Sequence, residues 1–122
     1  MGSLWLATGA LACALSITAG AFGAHGLEAR LETDDLAVWE TAARYLMYSG
    51  FGLILIGILA QTQARPGFTW AAALLAGGAV VFCGTLFALA LGGPRWLGAV
   101  TPLGGLAMIV AFVLLAWTAF RA

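Results

Sequence analysis

Residues 66–94 read PGFTWAAALLAGGAVVFCGTLFALALGGP, without one charged side chain. Crossing the hydrocarbon core of a bilayer takes roughly 20 predominantly apolar residues, and this stretch supplies them between two turns. Arg65-Pro66-Gly67 and Gly92-Gly93-Pro94-Arg95 mark its ends, because Pro and Gly punctuate helices. The pattern predicts a transmembrane helix over about 68–91. Along it Ala72, Ala76, Gly84, Ala88 and Gly92 recur at multiples of four, broken by Val80. Small residues at that spacing let helix backbones approach in lipid, where packing drives association.

Three further uncharged stretches lie outward from it, at 1–24, 45–64 and 96–120. The expectation is an all-α membrane protein: one domain over 1–122, a four-transmembrane-helix bundle with short loops. Its helices are placed at about 4–24, 34–61, 68–91 and 96–120. The first span lacks the basic n-region of a cleaved signal and is read as a permanent helix. It ends near Gly26, a position where a left-handed cap is common. It carries a second four-residue stripe of Ala12, Ser16, Gly20 and Ala24. Ser16, Gly20, Gly84, Ala88 and Gly92 are therefore the expected helix-packing residues. Helix 2 begins in the interface, with Thr33 as a hydroxyl cap and Asp34 and Asp35 in the positive first turn. Pro102 either kinks helix 4 or marks a start at Thr101.

Composition agrees. Hydrophobic residues make up 63% of the chain and charged residues 8%, against about 25% charged in a soluble domain. A chain this small needs polar residues to cover its surface in water, and it lacks them. The lipid bilayer is thus the expected surrounding. The five tryptophans, Trp5, Trp39, Trp70, Trp96 and Trp117, all fall near predicted helix ends, where amphipathic rings sit at the membrane–water interface. Net charge is zero and no basic run occurs, so no nucleic-acid partner is expected. Cys13 and Cys83 sit within spans and read as small packing residues. Arg65 and Arg121 fall with the termini and Arg30, Arg44 and Arg95 opposite, too even a split to orient the chain.

Three places could carry chemistry. His25, the lone histidine, is either a proton relay or metal ligand, or an interfacial capping residue. Glu40 and Arg44 are spaced i,i+4 with the acid first, as an ion pair at the membrane edge or a polar binding site. Thr101-Pro102-Leu103-Gly104-Gly105 is either a broken helix that exposes backbone groups or a proline-shaped helix start. The candidate polar site is therefore His25, Glu40, Arg44 and Thr101, gathered on the side opposite the termini. No catalytic constellation, cofactor fingerprint or metal-ligand spacing is present, so neither an enzymatic activity nor a cofactor or metal is expected.

The segments Gly20-Ala21-Phe22-Gly23-Ala24-His25-Gly26-Leu27, Glu40-Thr41-Ala42-Ala43-Arg44-Tyr45-Leu46-Met47-Tyr48, Phe82-Cys83-Gly84-Thr85-Leu86 and Thr101-Pro102-Leu103-Gly104-Gly105 resemble a family of small membrane proteins. That family, a domain of unknown function (DUF 423), includes the bacterial proteins YgdD and YwdK and has relatives in animal cells. The resemblance covers nearly the whole chain. It implies a multi-pass protein, in bacteria at the plasma membrane, and no established activity. Relatives typically carry His after the Tyr-containing segment, where this chain has Ser49. The functional expectation is an accessory or scaffold subunit, or a homo-oligomeric helix bundle, with a small-residue stripe left facing lipid. The alternative is a small-solute or lipid transporter or binder with a site near His25, Glu40 and Arg44.

Overall fold

The computed structural model describes residues 2–121. Four helices follow one another: α1 (Gly2–Phe22), α2 (Thr33–Thr62), α3 (Pro66–Ala90) and α4 (Leu97–Phe120). A π-helical turn, Gly23–Leu27, extends α1. All four are long and apolar enough to cross a membrane, and the described residues contain no strand.

The helix ends differ in detail from the sequence reading. Thr33 is the first helical residue of α2, and the cap position falls on Glu32 with no side-chain cap bond. Pro66 opens α3 instead of belonging to the turn before it, at the position where a missing N–H is harmless. Gly26 is not left-handed. The one positive φ among the described residues is at Gly92, at 95°. There Gly93 N–H donates to Ala88 O at 2.8 Å and Gly92 N–H to Leu89 O at 3.1 Å. This is the Schellman pattern of helix termination. Gly92 therefore ends α3, and it lies outside the helix whose packing stripe it was expected to join. Pro102 lies inside α4, which runs unbroken from Leu97.

Neighbours in sequence are neighbours in space. α1 packs on α2, α2 on α3 and α3 on α4, while α1 does not pack along α3 or α4. α4 reaches α2 near Gly52, over which the Phe112 ring lies. The result is an open, antiparallel file of helices with α2 and α3 at its centre. Leu53, Ile56, Phe68, Ala71, Ala72, Leu75, Met108 and Ala111 form the main core between α2, α3 and α4.

The α1–α2 seam has a period of seven. Gly2, Gly9, Ser16 and Gly23 are all buried and lie against Gly57, Gly50, Ala43 and Trp39 in reverse order. A methyl on Gly57 would lie 2.5 Å from the Leu6 amide nitrogen, and one on Gly9 2.6 Å from the Gly50 carbonyl oxygen. The two backbones thus touch directly. A seven-residue repeat keeps one face turned to the neighbour along a helix pair. The α3–α4 seam repeats the device: Gly67 lies against Thr118, Gly78 against Gly104 and Thr85 against Thr101, with Gly104, Ala111 and Thr118 buried at spacings of seven along α4. A methyl on Gly104 would lie 2.5 Å from the Phe82 amide nitrogen.

Two predictions follow from these seams. Gly57→Val should destabilise the fold by about 3 kcal/mol through overpacking, whereas Gly84→Ala, where no atom lies within 4 Å of an added methyl, should leave it unchanged; thermal melts in detergent measure both. Trp5 Nε1 is buried without a hydrogen-bond partner, and an unmade bond is expensive. Trp5→Phe should therefore keep or raise the melting midpoint, and a clear fall would mean that the indole nitrogen is satisfied in the membrane.

Candidate functional site

The end of the molecule opposite the chain termini is organised by Trp39. It is a core residue with 9% of its surface exposed, unlike Trp70, Trp96 and Trp117 at 66%, 65% and 56%. Those three remain interface anchors; Trp39 faces inward. Its Nε1–H donates to Ala19 O at 2.8 Å. Its ring meets Phe87 edge-on at 4.6 Å and Phe22 at 6.2 Å between centroids. Both are favourable aromatic geometries. A methyl on Gly23 would lie 2.7 Å from Trp39 Cδ1, and one on Gly26 2.8 Å from the Phe22 ring. Gly23 and Gly26 therefore make room for rings. The π turn sets Leu27 beside Ala90 and Trp39 in a second buried cluster, which joins the far end of α1 to α3.

His25 stands exposed on that π turn. Single π turns inside helices are frequent at functional sites. Glu40 and Arg44 are both exposed on α2. None of the side-chain hydrogen bonds among the described residues involves His25, Glu40 or Arg44. Thr101 is buried and its hydroxyl lies 2.5 Å from that of Thr85. Thr85 also reaches Val81 O at 2.7 Å, and Thr101 reaches Leu97 O at 3.0 Å. Each hydroxyl carries one proton, so the two protons are committed within the pair and its carbonyls. Thr101 thus ties α3 to α4 and has no donor to spare for His25, Glu40 or Arg44. Among the described residues no group of three His, Cys, Asp or Glu is placed to hold a metal ion.

The expected packing residues divide. Ser16 Oγ donates to Ala43 O at 2.5 Å across the α1–α2 seam. A methyl on Gly20 or Gly84 would meet nothing within 4 Å, so neither glycine is pressed against a neighbour in the chain. Ala88 is partly buried near the end of α3. The close seams are built instead by Gly2, Gly9, Gly50, Gly57, Gly78 and Gly104. Their signal was present as a spacing of seven; a search at spacing four picks another face.

An open file leaves grooves on both sides. One, of about 440 Å³, runs between α1 and α3 over α2, from Thr8 and Leu11 past Ser49 to Gly84 and Phe87. Ser49 is fully buried there and donates to Tyr45 O at 2.9 Å. Another, of about 430 Å³, lies between α2 and α4, under Tyr45, Tyr48 and Phe112. Neither groove includes His25, Glu40 or Arg44. Along α3, Ala73, Gly77, Val80 and Gly84 are exposed as a face of small side chains, with Val80 and Gly84 lining the α1-side groove.

Four membrane-length apolar helices with polar groups at their ends define a multi-pass integral membrane protein. The chain belongs to the DUF423 family, "Protein of unknown function (DUF423)", whose model matches residues 19–105. It is 45% identical over 118 residues to a UPF0382 membrane protein of Staphylococcus haemolyticus, covering 97% of this chain and 96% of that one. A UPF0382 membrane protein of Staphylococcus saprophyticus is 42% identical over 118 residues, at 97% and 98% coverage. The UPF0382 membrane protein YwdK of Bacillus subtilis is 37% identical over 119 residues, at 97% coverage of both chains. No solved structure matches the chain. These descriptions name a membrane protein and no reaction.

The Trp39 junction is open to test. Trp39→Phe should lower stability by about 1 kcal/mol through loss of the bond to Ala19 O, and Trp39→Ala by about 3–5 kcal/mol through the cavity it leaves. Unfolding midpoints in detergent, with proteolysis of the 28–32 connection as a local readout, measure both.

Proposed function

We propose that this protein is a helix-packing subunit that associates within the bilayer through the small-residue face of α3, with a second copy as the partner. The observation that carries this reading is the exposed row of Ala73, Gly77, Val80 and Gly84. Added methyls at Gly77 and Gly84 would touch nothing in the chain, and Val80 is 73% exposed. Gly77 and Gly84 are seven apart, the spacing with which both internal seams bring backbones together. A small face is unused packing capacity in lipid, where close backbone approach drives association. Two copies of one face meeting about a twofold axis form a closed, isologous contact. The apolar lining of the grooves supports packing over the passage of a polar solute.

Disulfide trapping in native membranes tests this. With Cys13 and Cys83 replaced by Ala, Val80→Cys should give a covalent dimer on mild oxidation, because only residues whose Cα atoms come within about 7 Å can be bridged. Ile109→Cys, on the lipid face of α4, should not. The additional change Gly84→Leu should abolish trapping without lowering the melting midpoint. Equal trapping at Val80 and Ile109 would reject the α3 contact. A stoichiometric complex with a different membrane protein would replace the second copy as partner.

A further inference from the structure

At the end of the molecule that holds the chain termini, the α2–α3 turn and the end of α4 enclose a cleft of about 380 Å³. Arg65 belongs to the wall formed by the α2–α3 turn, and Arg121, with Leu114, Trp117 and Thr118, to the wall formed by the end of α4. These are the two arginines of that end, and no acidic side chain accompanies them. All five acids lie between Glu28 and Glu40, towards the opposite end. There, three arginines against five acids leave −2; here, two arginines alone make +2, for the net charge of zero.

Both guanidinium groups are positioned by neighbours that leave donors free. Arg65 Nε donates to Gln63 Oε1 at 3.2 Å, which leaves its terminal nitrogens unspent. The Arg121 guanidinium carbon lies over the Trp117 ring, 5.8 Å from its centre, a cation–π contact that spends none of its N–H groups on a hydrogen-bond acceptor. Thr118 commits its proton to Leu114 O at 2.8 Å. Gly67 has no side chain to hold the walls apart: a methyl there would run into Thr118. The cleft is therefore narrow, cationic and rich in N–H donors. Guanidinium forks match the oxygens of a phosphate, two bonds at a time.

Depth identifies the source of that phosphate. Trp70 and Trp117 are exposed near the same end, marking headgroup level. Below the cleft, Val113 and Val110 continue an exposed apolar surface along α4, where acyl chains lie. We propose that the Arg65–Arg121 cleft binds the phosphate of an anionic phospholipid headgroup. A zwitterionic lipid carries the same phosphate with an ammonium beside it, which the two arginines repel.

Native mass spectrometry of protein released from nanodiscs made of equal parts phosphatidylglycerol and phosphatidylcholine tests the assignment. The wild-type chain should retain phosphatidylglycerol in preference. Arg65→Gln with Arg121→Gln should reduce that preference by roughly thirtyfold, the loss of about one kcal/mol for each of the two cations at a membrane surface. Arg95→Gln, at the acidic end, should not change it. Arg121→Gln alone, at an exposed residue, gives the same reading in weaker form should the double variant fold poorly. Excess inorganic phosphate should not displace the lipid. Equal retention of both lipids by the wild type, or a preference that survives loss of both arginines, would overturn the proposal. Displacement by inorganic phosphate would overturn the lipid as the source. The α3 face plays no part in this cleft, so a chain that fails to dimerise still reports on it.

Discussion

Gly9 and Gly50 meet with each carbonyl oxygen set against the Cα of the other, and the rest of the structure depends on that kind of approach. Lipid tails are as apolar as leucine, so burying a leucine between two helices gains little in a membrane. Close backbone packing supplies the attraction instead. Glycines and small side chains at every seventh position let α1 lie against α2, and α3 against α4, along their full length. Hydroxyls reinforce each seam where the spacing allows, through Ser16 on Ala43 O and Thr85 on Thr101. A polar side chain within the membrane is costly unless bonded, and these are bonded.

Pairwise seams of this kind do not close a bundle. They produce a file in which α2 and α3 are central and α1 is held through α2. Two aromatic residues brace α1 against the rest. Trp5 packs on the main core near one end, and Trp39 with Leu27 bridges to Ala90 and Phe87 at the other. The π turn belongs to this bracing. It carries Leu27 inward while leaving His25 outside, and Gly23 gives the indole of Trp39 a seat on the backbone. The apolar grooves are the space between seams that an open file leaves unfilled.

Polar chemistry is pushed to the two ends, and the ends differ. One gathers the acids with three arginines, the exposed His25, and the exposed Glu40 and Arg44. The other holds two arginines facing one cleft. Such a division gives the molecule an electrical direction across the membrane. The two ends thus present different surfaces, while the middle of α3 exposes a face of small side chains.

The sequence by itself determined the class. Uncharged runs of membrane length, turns at Arg65-Pro66-Gly67 and Gly92-Gly93-Pro94, and scarce charge allow no soluble fold, because too few polar side chains exist to cover one. Four ordered motifs were enough to place the chain in its family. Tertiary structure decided which small residues touch. Both the four-residue stripe through Gly20 and Gly84 and the seven-residue stripe through Gly2, Gly9, Ser16 and Gly23 are written in the sequence. Only the neighbour's position selects between faces, since periodicity fixes a face and not what lies against it. Trp39 was legible as an aromatic at a helix end, but its inward turn depends on Gly23 arriving opposite it from another helix. The bond between Thr101 and Thr85 and the cleft that Arg65 and Arg121 both line likewise bring together residues far apart along the chain. Their meeting follows from the antiparallel register of α3 and α4, which backbone contact at Gly78 and Gly104 sets.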